Sequence, residues 1–239
     1  MSKPVLLNNV DHKHLRIRTG HAAALAERQM FAPTFPAEFR DLQACYPIVF
    51  RKSDDGTHFE PVALFGFVEG ENLFLANGGW DAPVIPLAVA RQPFLIGVDG
   101  ETLLVHVDLD SPRCSNEDGE AVFLPHGGTT DFLEQVNSTL LTLHQGLQAT
   151  PLFMDALLAL DLLESFVLDI ELDDGSEGRL AGFYAIHEER LGALEASVLG
   201  ELHRAGYLQA IFMALASLSK LRGLIERKNA KNRAHASIA

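Results

Sequence analysis

The run His106-Val107-Asp108-Leu109-Asp110 holds the densest set of groups able to do chemistry in this 239-residue chain. On a strand, His106, Asp108 and Asp110 share one face, and Val105, Val107 and Leu109 the other. Imidazole plus carboxylate is the ligand set of a non-haem iron facial triad. Such a site needs one further histidine, for which His126, His144 and His187 are candidates. A half-solvated strand whose polar face meets water is the favoured reading, with a metal-dependent enzyme using His106 and Asp108 as the alternative. Asp11, His12 and His14 form a second small cluster, which a polar N-terminal segment explains equally well. Asp169, Glu171, Asp173 and Asp174 resemble a calcium loop superficially, but the required glycine falls one position late, at Gly175. No P-loop, GxGxxG or GxSxG is present. Glu69 and Glu71 flank Gly70 in a turn, with nothing to make them an acid/base pair. No catalytic residue, metal or cofactor is therefore assigned.

Recognition has a better candidate than catalysis. Trp80, the one tryptophan, follows the turn Asn77-Gly78-Gly79 and precedes the proline-punctuated Asp81-Ala82-Pro83-Val84-Ile85-Pro86. An aromatic ring on a rigid loop is a good anchor for a ligand or protein partner. Asn77, Gly78, Gly79, Trp80, Asp81, Ile85 and Pro86 are the predicted binding residues, against the plainer reading of a tryptophan that plugs the edge of a core.

The elements that must position these groups follow from periodicity and turn chemistry. Residues 14–18 and 46–51 read as strands, and Pro36 to Ala44 as a short helix. Asp54-Asp55-Gly56 turns the chain into a returning strand that ends at Gly66-Phe67. Phe94 to Val98 and Thr102 to Leu109 form a hairpin about Asp99-Gly100, followed by a polar loop over 111–119. Thr130 is placed to cap a helix reaching about Gln148, and Thr150-Pro151 to start another reaching Glu164. Phe166 to Leu172, Asp173-Asp174-Gly175 and Arg179 to Ile186 make a second hairpin, with Gly182-Phe183 inside its return. Residues 188–204 and 207–227 read as helices. The fold class is α+β, antiparallel hairpins with a helical C-terminal half. The order helix, strand, Asp-Asp-Gly, strand with Gly-Phe occurs at 36–68 and again at 151–186, which suggests two related helix–hairpin units.

Composition bounds the rest. Hydrophobic residues make up 47% and charged residues 21%, as in an ordinary globular protein. Net charge is −13. From Lys220 onward six basic residues stand against the single acid Glu226, so that segment carries +5 and the remainder −18. An acidic body disfavours nucleic acid. Cys45 and Cys114 form no metal-ligand spacing and read as reduced thiols in a cytoplasmic protein. No signal peptide or membrane span is expected. We expect one domain over 1–225, with halves at 1–125 and 130–225 if it is duplicated, and a basic flexible tail over 226–239. The stripe of Ile211, Leu215, Leu218 and Ile225, with Phe212 beside it, reads as core or as a seam for a homo-oligomer.

Several segments together resemble the SapC family of bacterial proteins. They are Pro36-Ala-Glu-Phe39, Tyr46-Pro-Ile-Val-Phe50, Leu64-Phe-Gly66, Gly70-Glu-Asn-Leu-Phe74, Gly79-Trp80, Ile85-Pro86, Gln92-Pro-Phe94, Asp174-Gly175, Leu180-Ala-Gly182 and Gly206-Tyr-Leu208. A tyrosine often precedes the Ile-Pro pair in the family, where this chain has Val84. The resemblance implies a place in nutrient-uptake gene groups beside TonB-dependent receptors, flavin-dependent halogenase-like proteins and cupin-like oxygenases. The family takes its name from a surface-layer protein, so a self-assembling surface-layer role is a further alternative. The expected function is a non-catalytic cytoplasmic binding or accessory protein, with a protein partner or small-molecule ligand.

Overall fold

The computed structural model describes residues 4–21, 25, 28–76, 78–100 and 102–236. In chain order the first elements are β1 (Pro4–Leu6), β2 (Arg16–Ile17), β3 (Phe31–Pro33), α1 (Phe39–Leu42), β4 (Ile48–Lys52), β5 (Phe59–Leu64), β6 (Leu75–Ala76) and β7 (Gly79–Trp80). Next come α2 (Leu87–Ala90), β8 (Phe94–Asp99), β9 (Thr102–Asp108), β10 (Cys114–Ser115), β11 (Glu120–Ala121) and α3 (Asp131–Ala159). The last are β12 (Leu163–Glu171), β13 (Glu177–Ile186), α4 (Glu188–Gly192), α5 (Ala196–Arg204), α6 (Tyr207–Ser217) and α7 (Lys220–Ala236). The α+β class and the helical C-terminal half hold. The chain divides into two compact units, one built from 1–27, 75–81 and 87–145, the other from 28–74, 82–86 and 146–239. Their boundaries do not follow halves at 1–125 and 130–225.

In the first unit β1, β9 and β8 make one antiparallel sheet, and β10, β2 and β11 another. Val107 and Phe94 face each other across β9 and β8. They pack with Leu15, Ile17 and Val122 against Leu133, Val136 and Leu140 of α3. Thr130 caps α3 as the sequence indicates, its hydroxyl oxygen accepting from Leu133 N–H at 3.3 Å. The expected polar loop at 111–119 contains β10, because Cys114 and Ser115 pair with Ile17 and Arg16.

The second unit is organised by one antiparallel sheet in the order β12-β13-β4-β5-β3. Both Asp-Asp-Gly hairpins lie in it side by side, each with its first strand on the same side of its second. Their turns use the same chemistry. Gly56 and Gly175 take φ of +71° and +76°, and Asp55 and Asp174 each accept from the N–H two residues on, Thr57 and Ser176. The repeat does not extend further. Gly182 sits inside β13 at φ +87°, opposite the irregularity between Phe166 and Leu168. Gly66 follows β5 with ordinary φ, and a Cβ there would lie 2.5 Å from the Glu71 carbonyl. The helices preceding the two hairpins, α1 and α3, also differ, at 4 and 29 residues.

Four expectations about helices are corrected. One helix runs through 131–159 with Pro151 inside it, where two were expected. Its buried stripe continues past the proline through Phe153, Met154 and Leu157. Thr150 meanwhile donates its hydroxyl to the Gly146 carbonyl at 2.8 Å. Residues 188–204 split into α4 and α5. The stretch from Tyr207 splits into α6 and α7, and α7 carries on through residues 226–236, where a flexible tail was expected. The basic residues of that segment are engaged by side chains far away in sequence. Lys228 reaches Glu71 at 2.7 Å, Lys231 the same carboxylate at 3.6 Å, and Arg233 meets Asp173 at 2.7 Å. Asn229 accepts from Asp173 N–H, and Arg227 lies 4.5 Å over the Phe74 ring.

Tyr207–Ala234 is long and apolar enough to cross a membrane by length and composition alone, and a third of its most apolar window is buried. Ile211, Ala214, Ser217 and Leu224 are buried here, and the Ser217 hydroxyl accepts from Ile48 N–H of β4. Through Ser217, α6 is tied directly to β4. Of the expected oligomer stripe, Ile211 is consumed by this core and Phe212 is 54% exposed.

Candidate binding site

The Trp80 hairpin forms because β6 and β7 pair Leu75 with Trp80 and Ala76 with Gly79, leaving a two-residue connection. Gly78 takes φ +79°, as such a turn demands. Asn77, its partner in the turn, lies outside the described residues. Trp80 is partly buried, and its ring and that of His21 pack edge to face, with centroids 5.9 Å apart and planes at 74°.

Behind His21 stands Arg113, which is 2% exposed. Its Nη2 lies 3.3 Å from His21 Nδ1, and its Nη1 donates to the carbonyls of Arg18 and Gly20 at 2.8 and 2.9 Å. Arg18 in turn grips Asp118 through Nε and Nη2 at 3.0 Å. That guanidinium, with help from the Ser115 hydroxyl, holds the Asp118 carboxyl down at about 2. The tryptophan thus rests on a histidine that is itself braced by a buried, multiply bonded arginine. Sequence reasoning found Trp80 and missed the brace, because His21, Arg113 and Asp118 are joined only by the pairing of β2 with β10 and β11.

The other predicted residues are placed as follows. Gly78, Gly79, Trp80 and the exposed Asp81 belong to the first unit. Ile85 and Pro86 belong to the second, where Pro86 is buried and Ile85 partly so. Their loop is fixed by Tyr46, whose hydroxyl donates to the Val84 carbonyl. Tyr46 is fully buried against Phe65 and Phe74 at ring distances of 5.4 and 4.6 Å. Tyr46, Phe65 and Phe74 all lie in the segments that carry the family resemblance, and here they build a wall rather than a reactive centre. The second unit also holds a cleft of about 320 Å³, lined by Thr34, Phe59, Pro61, Leu147, Pro151 and Met154 among others. That volume is at the small end of ligand sites.

His106 and Asp108 do lie on one face of β9, across from Leu6 and Pro4 of β1. The imidazole lies against Gly97 of β8, where a Cβ would come within 2.5 Å of Nδ1. That nitrogen is buried without a hydrogen-bond partner among the described residues. Asp108 is turned to its own loop, its Oδ1 accepting from Asp110 N–H at 3.2 Å. His187 belongs to the other unit and caps α4, accepting from Arg190 N–H. His12 accepts from Asn8 N–H in a local turn. Among the described residues no three His, Cys, Asp or Glu side chains come together as metal ligands.

No curated protein and no solved structure matches this chain. The family model for SapC matches residues 7–224, which takes in the Trp80 hairpin, the Tyr46 wall, both Asp-Asp-Gly turns and α6, and so the chain belongs to the SapC family.

Proposed function

We propose that this SapC-family chain is a non-catalytic binding or accessory protein, acting in the cytoplasm, that docks its partner on the Trp80 hairpin. One observation carries this reading. Trp80 is a partly buried ring on a two-residue hairpin, seated on His21, which Arg113 braces from the interior. A ring held this way loses little conformational entropy on docking, which is what makes aromatic anchors dominate binding energy. The partner class follows from the family resemblance: a neighbouring enzyme of the same gene group, a flavin-dependent halogenase-like protein, with the TonB-dependent uptake system as its setting. Self-association belongs to the same reading, with the exposed Phe212 of α6 as its contact.

The test is interferometry of the purified chain against that halogenase-like protein, comparing Trp80→Ala with Trp80→Phe. Truncating a central aromatic anchor costs about 2 kcal/mol, a roughly 30-fold loss of affinity, with partial retention in Trp80→Phe. Binding that is indifferent to Trp80→Ala removes the hairpin from the reading. Absence of binding removes the partner class.

A further inference from the structure

The two edges of the second unit's sheet are built differently. The β3 edge is three residues long and ends in Pro33, which has no N–H to offer. The β12 edge is nine residues long and contains neither proline nor lysine. Its register shows which groups are free. Leu172 N–H donates to the Ser176 carbonyl, and His187 N–H to the Leu162 carbonyl. Even-numbered residues of β12 therefore turn their backbone groups to β13. By the alternation of a strand, Leu163, Ser165, Val167, Asp169 and Glu171 turn theirs to the open edge, over about 27 Å. None of these five makes a backbone hydrogen bond beyond β13 among the described residues.

The side chains along this edge carry one sign of charge. Glu164, Asp169 and Glu171 lie on β12, and Glu177 stands directly across from Glu171 on β13. Like charges placed directly opposite destabilise an antiparallel pair. Arg179 lies 3.5 Å from Asp169 and His187 3.9 Å from Glu164, while neither Glu171 nor Glu177 is paired with a cation among the described residues. A concavity of about 580 Å³ opens at this end, lined by Asp169, Ile170, Glu171, Glu177, Gly178 and Arg179. Val167 is 45% exposed between the acids.

We propose that the β12 edge is a second binding surface, which takes an extended, lysine- or arginine-bearing protein segment by strand addition. A basic side chain of the incoming strand enters the concavity between Glu171 and Glu177, and its backbone pairs with the five odd-numbered residues. Pairing with a second copy of this chain is disfavoured, since it would set three more acids against the three that β12 already carries. The surface is independent of the Trp80 hairpin.

The probe is the acetylated, amidated and labelled peptide Lys-Val-Lys-Val-Thr-Val-Thr-Lys-Val, read by fluorescence anisotropy against the full chain. Saturable binding is expected, weakened by added salt. It should be lost when the peptide carries alternate N-methyl groups, which keep the charge and block strand addition. It should also be lost when glutamate replaces lysine. Val167→Pro removes only an outward N–H, so the fold should persist while affinity falls at least tenfold. Glu171→Lys should weaken binding equally while leaving thermal stability unchanged or higher, which keeps the test sound if the proline variant unfolds. No saturable binding up to about 1 mM overturns the proposal. So does equal binding of the N-methylated or glutamate peptide, or an affinity unchanged in both variants. A concentration-dependent dimer abolished by Val167→Pro would assign the edge to a second copy and overturn it as well.

Discussion

Replacing Glu71 with alanine should loosen the whole C-terminal helix. The carboxylate is 6% exposed and serves three donors: Lys228 at 2.7 Å, Lys231 at 3.6 Å and the backbone N–H of Phe67 at 3.2 Å. Deleting it leaves the Phe67 N–H buried without its acceptor, at about 1–3 kcal/mol, and removes a charge-assisted bond to Lys228 of similar size. Lys228 is 22% exposed and can turn to water, which trims the second contribution. Lys231 is 41% exposed and adds little. The total is about 3 kcal/mol, or roughly 6–12 °C in the melting transition of a chain this size. Glu71→Gln keeps the acceptor for Phe67 and sacrifices only the charge, so it should cost about 1 kcal/mol. The assay combines thermal melts with hydrogen exchange resolved over 220–236. Amides of α7 should exchange faster in Glu71→Ala, with those of β8 and β9 unchanged. If α7 keeps its protection and the melt moves by less than about 2 °C, the helix is held by something other than this carboxylate.

Two further outcomes follow from the packing and the titration behaviour. Gly146→Ala gains about 1 kcal/mol of helix propensity but places a Cβ 2.2 Å from the ring of Phe35, itself 2% exposed. Overpacking of about 1–3 kcal/mol should win, lowering the melting temperature, and Phe35→Leu in the same chain should restore it. The Cys114 thiol donates to the Asp108 carbonyl, and burial pushes it up to about 11. Its contribution is complete below the ordinary value of 9.0 and is lost as pH rises from there through about 11, because the unfolded thiol ionises first. Cys114→Ala should therefore flatten part of the alkaline fall in stability, and Cys114 in the native chain should react slowly with Ellman's reagent at pH 8.

What was legible in the sequence was local. Asp-Asp-Gly followed by Thr57 or Ser176 encodes both turns, since aspartate accepts from the N–H two residues on and glycine takes the positive φ. Thr130 announced the start of α3 for the same reason. Failures came where a distant partner overrides the local rule. Pro151 reads as a helix start, yet the buried stripe through Phe153 and Leu157 keeps the helix intact across it. The basic run after Lys220 reads as a solvated tail because Glu71, Asp173 and Asp174 are far away in sequence. Trp80 stood out as a lone ring after a double-glycine turn, but its seat on His21 and Arg113 depends on strand pairing that no local pattern reports. His106 and Asp108 share a face as their alternation requires, and that face presses the imidazole onto Gly97.

The pairing of β4 with β13 also constrains how the chain is made. Phe50 finds its neighbour Tyr184 only when about 130 further residues have been synthesised. At ribosomal speeds that is a delay on the order of ten seconds. Throughout it β4, with Ile48, Val49 and Phe50, has a partner on one side alone. A nascent chain stalled between Leu64 and Glu177 therefore displays an apolar strand with one edge open. The second unit is thus completed late in synthesis, however early its central strand emerges.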